Sequence, residues 1–158
     1  MQAPEPLEGA AAAAPSGLQV DFYVLPSSDP QARITFACKL VDKAWRLGHR
    51  IAVLCADSAQ RSALDERLWA FKAEAFIAHS LLEDDAQAPV ALALSVPSGG
   101  QHDLLINLKD ATPSGYEGYA RLAEIVLDDP ALRQAARDRF RFYRERGYAL
   151  HNHRLTRF

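Results

Sequence analysis

Three short runs, RIAVLCA (50–56), VALALSV (90–96) and DLLINL (103–108), are apolar at nearly every position. A half-exposed strand alternates apolar and polar side chains, so runs like these read as buried strands, and RIAVLCA is of the kind found in parallel strands covered on both faces. Helical patterns lie between them. Pro26-Ser27-Ser28-Asp29-Pro30 breaks the β-rich run QVDFYVL (19–25) and supplies an N-cap with proline in the first helical turn. In the helix predicted over 31–47, Ile34, Ala37, Cys38, Val41, Ala44 and Trp45 recur at three- and four-residue steps, and Gly48 is placed to end it. Asp57-Ser58 caps a second helix over 58–70, in which Leu64, Leu68 and Trp69 share a side while Arg61, Asp65 and Glu66 point to water.

Phe76-Ile77-Ala78-His79 reads as a further strand. Residues 121–127, RLAEIVL, could continue a helix begun at Tyr116, but the Ile125-Val126-Leu127 cluster before Asp128-Asp129-Pro130 favours a strand. From Pro130 to Arg146 the pattern is helical, Gly147 stops it, and YALHNHRL (148–155) fits a short edge strand. The alternation predicts an α/β fold, a mostly parallel sheet with helices on both faces joined by right-handed crossovers.

With 158 residues, 49% apolar and 24% charged, the chain fits one domain. Residues 1–17, rich in alanine and proline and without a basic group, bury too little to offset their ordering entropy, which leaves 18–158 as the folded unit behind a disordered tail. No run approaches the roughly 18 apolar residues of a membrane span, and Glu5 and Glu8 stand where a secretory signal carries Lys or Arg. Cys38 and Cys55 are spaced for neither a CxxC pair nor a zinc cluster, so a reducing, cytoplasmic compartment is expected.

An open parallel sheet binds ligands beyond the carboxyl ends of its strands, which would put a nucleotide at residues 25–30. That loop has no glycine to let the backbone approach a pyrophosphate, and Asp29 sets negative charge where a phosphate would lie. Asp57, Asp65, Glu66 and Asp103 fit helix caps and solvated faces better than an acid/base pair. His79 and His102 stand alone as hydrogen-bonded structural groups, and His151 with His153 offers too few ligands to close a metal shell. No nucleophile has a partner at a recognisable spacing, so no catalytic centre, metal or cofactor is expected.

The overall charge of −2 conceals a division at Pro130. Residues 1–129 carry 10 Lys+Arg and 18 Asp+Glu, while 130–158 carry 8 Arg and 2 acids, giving −8 and +6. At about 100° per residue, Leu132, Ala135, Ala136, Phe142 and Tyr143 gather on the core-facing side of the last helix. Arg133, Arg137, Arg141 and Arg144 fall on the adjoining arc, with Phe140 at the border. Guanidinium groups grip carboxylates in two places and an aromatic ring accepts an apolar side chain, so the arc suits an acidic peptide ending in a hydrophobic residue. It suits single-stranded nucleic acid nearly as well, through phosphate contacts and base stacking. The plainer reading is a soluble surface helix whose arginines pair with Asp138 and Glu145.

Taken together, VDFYVL, the LDERLW…F…H run of 64–79, DLLINL and LRQAARDRFRFYRERGYALH (132–151) resemble the chi subunit family of bacterial DNA polymerase III holoenzyme. The resemblance spans 19–155. It implies a Rossmann-like sheet without nucleotide and a non-catalytic subunit of a DNA-directed DNA polymerase complex. Such a subunit is joined to the clamp loader through psi, holds the acidic C-terminal tail of single-stranded DNA-binding protein, and contacts DNA only indirectly. Arg133, Arg137, Phe140 and Arg141 match the family's tail-binding positions, where many members carry Tyr for Phe140 and Lys for Arg133 and Arg141. Trp69 and Phe76 match the apolar patch that receives psi or, alternatively, a helicase, although general burial tendencies favour the core for both. The family often has proline in the segments aligned with Lys72 and Ala78, and this chain does not. Two other readings remain: direct single-stranded nucleic-acid binding by the same helix and, from fold analogy alone, a nucleotide-dependent α/β enzyme.

Overall fold

A computed structural model describes residues 17–71, 77–97 and 100–157; the tail up to residue 16 and Phe76 lie outside the described residues. The elements run β1 (Gln19–Val24), α1 (Pro30–Arg46), β2 (Ile51–Leu54), α2 (Ser58–Ala70), β3 (His79–Leu81), β4 (Val90–Ala93) and β5 (Leu104–Asn107). After a 3-10 turn at Tyr116–Gly118 come β6 (Arg121–Val126), α3 (Pro130–Glu145) and β7 (Ala149–Arg154). The seven strands form one open sheet in the order β3-β4-β2-β5-β6-β1-β7, with every pairing parallel. The ambiguous 121–127 segment is a strand, buried along its whole length between β5 and β1.

Alternation along the strands divides the core in two. Tyr23, Val53, Leu92, Ile106 and Ile125 pack under α1 and α2 with Leu64 and Leu68, whereas Phe22, Leu54, Leu105, Leu122 and Val126 face α3 with Ala136 and Tyr143. Each helix starts on an aspartate. Asp29, Asp57 and Asp129 accept from the backbone N–H of Gln31, Gln60 and Leu132, satisfying donors that the first turn leaves unpaired. Gly147, at φ 82°, then lets the chain leave α3 and enter β7 in a conformation that a β-carbon would strain.

Three expectations need correction. Arg61 does not point to water: it is buried, and both guanidinium nitrogens bond Glu83 at 2.7 and 2.9 Å, which holds that carboxyl below its ordinary pKa. Trp69 does not share the buried side of Leu64 and Leu68. One residue past Leu68 turns it about 100° round the helix, leaving it 59% exposed with its ring against His79, centroids 4.5 Å apart. The strand predicted from Phe76 begins only at His79, whose ring is anchored by Ile77 O at 2.8 Å and Asp65 at 3.1 Å.

The other isolated histidine, His102, is buried and bonds Ala88 O through Nε2 at 3.0 Å. Burial, aided by the nearby Arg50 charge, pushes its pKa below the ordinary value of 6.5 against the pull of that carbonyl. A depressed pKa in the fold means that the neutral ring contributes stability above the unfolded value, lost as pH falls through the folded one. Urea titrations between about pH 7 and pH 5 should therefore show a falling midpoint, and His102→Gln should fall less; an equal acid sensitivity would refute this origin.

Candidate functional site

Beneath α3 a buried polar cluster joins the apolar contacts that hold the helix on the sheet. Its buried face is Ala136, Arg139 and Tyr143, one residue every three or four, and Arg139 lies at the centre of that stripe. Beneath it, Glu124 of β6 is fully buried and accepts from Tyr143 Oη at 2.7 Å and from Asn107 Nδ2 at 2.9 Å. Arg139 places one guanidinium nitrogen 3.2 Å from Glu124 and donates another to Asp110 O at 2.8 Å. Burial raises the pKa of Glu124, opposed by the charge of Arg139 and by the hydrogen bonds it receives, while burial and the adjacent carboxylate push Tyr143 upward. Sequence reading had left Arg139 out, because an arginine seldom occupies a core stripe without a buried acid opposite.

Fixing Arg139 inward turns the other arginines outward. A groove of about 410 Å³ opens between α3 and the strands. Phe22, Val24 and Val126 supply its apolar strand lining, and Arg133, Arg137, Phe140, Arg141 and Arg144 its helix side. All five site residues expected on the last helix are thus brought together. Phe140 is half-buried, its ring 5.4 Å from that of Phe22. Val24, Val126 and Arg154 end their strands, so the groove reaches the carboxyl ends of β1, β6 and β7, where open parallel sheets receive ligands.

The arginines differ in how well they are neutralised. Arg133 has Asp128 at 3.3 Å and Arg141 has Asp138 at 3.7 Å, both exposed or half-exposed pairs worth little in water. Among the described residues Arg137 bonds only the neutral Gln134, at 2.8 Å. No carboxylate among the described residues lies within ion-pair distance of Arg144, nor of Arg154, which joins Asn152 in lining the groove from β7. Asn152 and Arg154 escaped sequence reading, although period-two alternation with Leu150 places both on the α3 side of β7.

In the 25–30 loop the Asp29 carboxylate accepts from the first free N–H of α1, that of Gln31, where a phosphate would have to sit. Among the described residues no three His, Cys, Asp or Glu side chains are placed to hold a metal, and no helix is long and apolar enough to cross a membrane. Both cysteines are buried free thiols, and burial pushes the pKa of Cys38 up to about 11 and of Cys55 to about 12, away from thiolate chemistry. Trp69 lies on the α1/α2 face near the β3 edge, the face and edge opposite the groove; Phe76 lies outside the described residues.

Residues 18–151 match the family model described as DNA polymerase III chi subunit, HolC. The chain is 59% identical over 139 residues to DNA polymerase III subunit chi of Pseudomonas aeruginosa, covering 88% of this chain and 98% of the relative. It is 30% identical to the Haemophilus influenzae subunit chi, over 82% of this chain and 92% of that one, and 30% identical to the Escherichia coli subunit chi, over 72% and 79%. A crystal structure of T4 UvsW superposes with TM-score 0.64 at 10% identity, over 89% of this chain and 42% of that one, a likeness of fold alone. An α/β sheet of this order, matched to the family along nearly its whole length, leaves one assignment: the chain belongs to the DNA polymerase III chi subunit family of replication accessory subunits.

Proposed function

We propose that this chain is a non-catalytic bridge of the polymerase III holoenzyme in the cytoplasm, joined to the clamp loader through psi and gripping the acidic C-terminal tail of single-stranded DNA-binding protein. The observation that carries the reading is the α3 groove, where arginines short of counter-ions surround an apolar floor. Arg133, Arg137 and Arg141 hold the tail's aspartates and terminal carboxylate, Arg144 extends the same rail, and Phe140 packs on the final apolar side chain. DNA is reached through that partner. Trp69, with Phe76, receives psi, and a helicase competes for the same patch. Six strand spacings of about 4.8 Å separate the β3 and β7 edges, roughly 29 Å, so both partners fit at once.

The interface is small, so micromolar affinity, about −8 kcal/mol, is expected, weakening as salt rises. Titrating a fluorescently labelled C-terminal peptide of single-stranded DNA-binding protein should show this affinity for wild type and a roughly tenfold loss for Arg137→Ala. Equal binding by the two, or binding by neither, overturns the reading.

A further inference from the structure

Among the described residues Arg154 is the one charged side chain on the strand side of the groove, and it comes from β7 rather than from the basic helix. Its position follows from topology. α3 carries the chain from β6 across β1 to β7, which ends the sheet, so among the described residues no further strand lies beyond Asn152 and Arg154. The register sets Arg154 level with Val24, and Val24 level with Val126, the residues that floor the groove. The opposite face of β7 is already occupied: His153 bonds Asp21 at 3.1 Å and stacks on Tyr23, ring centroids 4.8 Å apart. Arg154 therefore faces the groove with no carboxylate among the described residues to neutralise it.

Resting on the tail-binding reading above, we infer that Arg154, assisted by the Asn152 amide, forms a second carboxylate subsite that takes an aspartate side chain of the bound tail, opposite the α3 arginines. An extended peptide directs successive groups to alternate sides. When its terminal carboxylate faces Arg137 and Arg141 and its last side chain lies on Phe140 and the apolar floor, a preceding aspartate faces β7. The groove then clamps the acidic tail from two sides.

The probe is the labelled tail peptide in three forms: native, with its aspartates changed to asparagine, and with its carboxyl terminus amidated. Arg154→Ala should weaken the native and the amidated peptides by roughly fivefold each and leave the asparagine peptide unchanged, the non-additivity expected of a direct pair. Undiminished binding of the native peptide overturns the subsite, as does a loss that persists in the asparagine peptide or one that disappears only on amidation. If wild type binds and Arg137→Ala weakens it while Arg154→Ala does not, the subsite fails and the tail-binding reading stands. If wild type binds no tail peptide, both fail.

Discussion

Glu124→Ala is expected to destabilise the fold by about 3–5 kcal/mol, the usual cost of leaving one member of a buried ion pair alone. Against a total of about 5–15 kcal/mol for a domain, such a loss would bring the protein near unfolding at physiological temperature. The carboxylate is fully buried and serves three donors at once, from Arg139, Tyr143 and Asn107. Removing it strands a guanidinium that is itself 5% exposed, and takes away the carboxylate to which the Tyr143 hydroxyl donates at 2.7 Å. Since Arg139 and Tyr143 are two of the three residues that α3 buries, the groove should fail with the helix.

The pair itself need not be stabilising. Glu124→Leu combined with Arg139→Met and Tyr143→Phe replaces every charged member by an apolar side chain and should recover most of the loss, because no buried charge then lacks a partner. Denaturant midpoints for the single and triple variants decide it. A Glu124→Ala cost below about 1 kcal/mol would mean that water enters beneath α3, and the account of what seats the helix would be wrong.

Much of the fold was legible because its strongest signals are local and repeated. The nearly continuous apolar runs of β2, β4 and β5 read as covered strands, and the aspartates before α1 and α2 cap them as their positions predict. The order of strands was not legible, since it depends on pairings between residues such as Asp21 and His151 that are far apart in the chain. Arg61 and Arg139 were misread or missed for one physical reason. A buried arginine is recognisable only beside its acid, and Glu83 and Glu124 approach only in the folded sheet. At the groove, helical periodicity grouped the four arginines and Phe140 that line it from α3, whereas Ala136 was assigned to the core and the strand side, Asn152 and Arg154, needed β7 to be placed next to β1.

Phe140 separates the peptide reading from the nucleic-acid reading, and the expected effect is large. An apolar ring at the centre of a small interface commonly accounts for about 2 kcal/mol or more, so Phe140→Ala should weaken the tail peptide by roughly 30-fold. Phe140→Tyr, which keeps the ring, should bind within about threefold of wild type. The informative variant is Phe140→Leu. Leucine preserves most of the apolar contact that a hydrophobic peptide terminus needs, so the peptide should lose no more than about fivefold. It offers no π-face, so a base stacked on residue 140 would lose about 1–3 kcal/mol, as much as with alanine. Loss of the contact between Phe140 and Phe22, whose rings lie 5.4 Å apart, will cost some stability in the alanine variant, so its denaturation midpoint must clear the conditions of the titration. Affinity graded as Phe, Tyr, Leu, Ala identifies an apolar side chain as the occupant of the groove. Leucine as damaging as alanine, together with a steep loss of oligonucleotide affinity as salt rises, would transfer the groove to single-stranded nucleic acid.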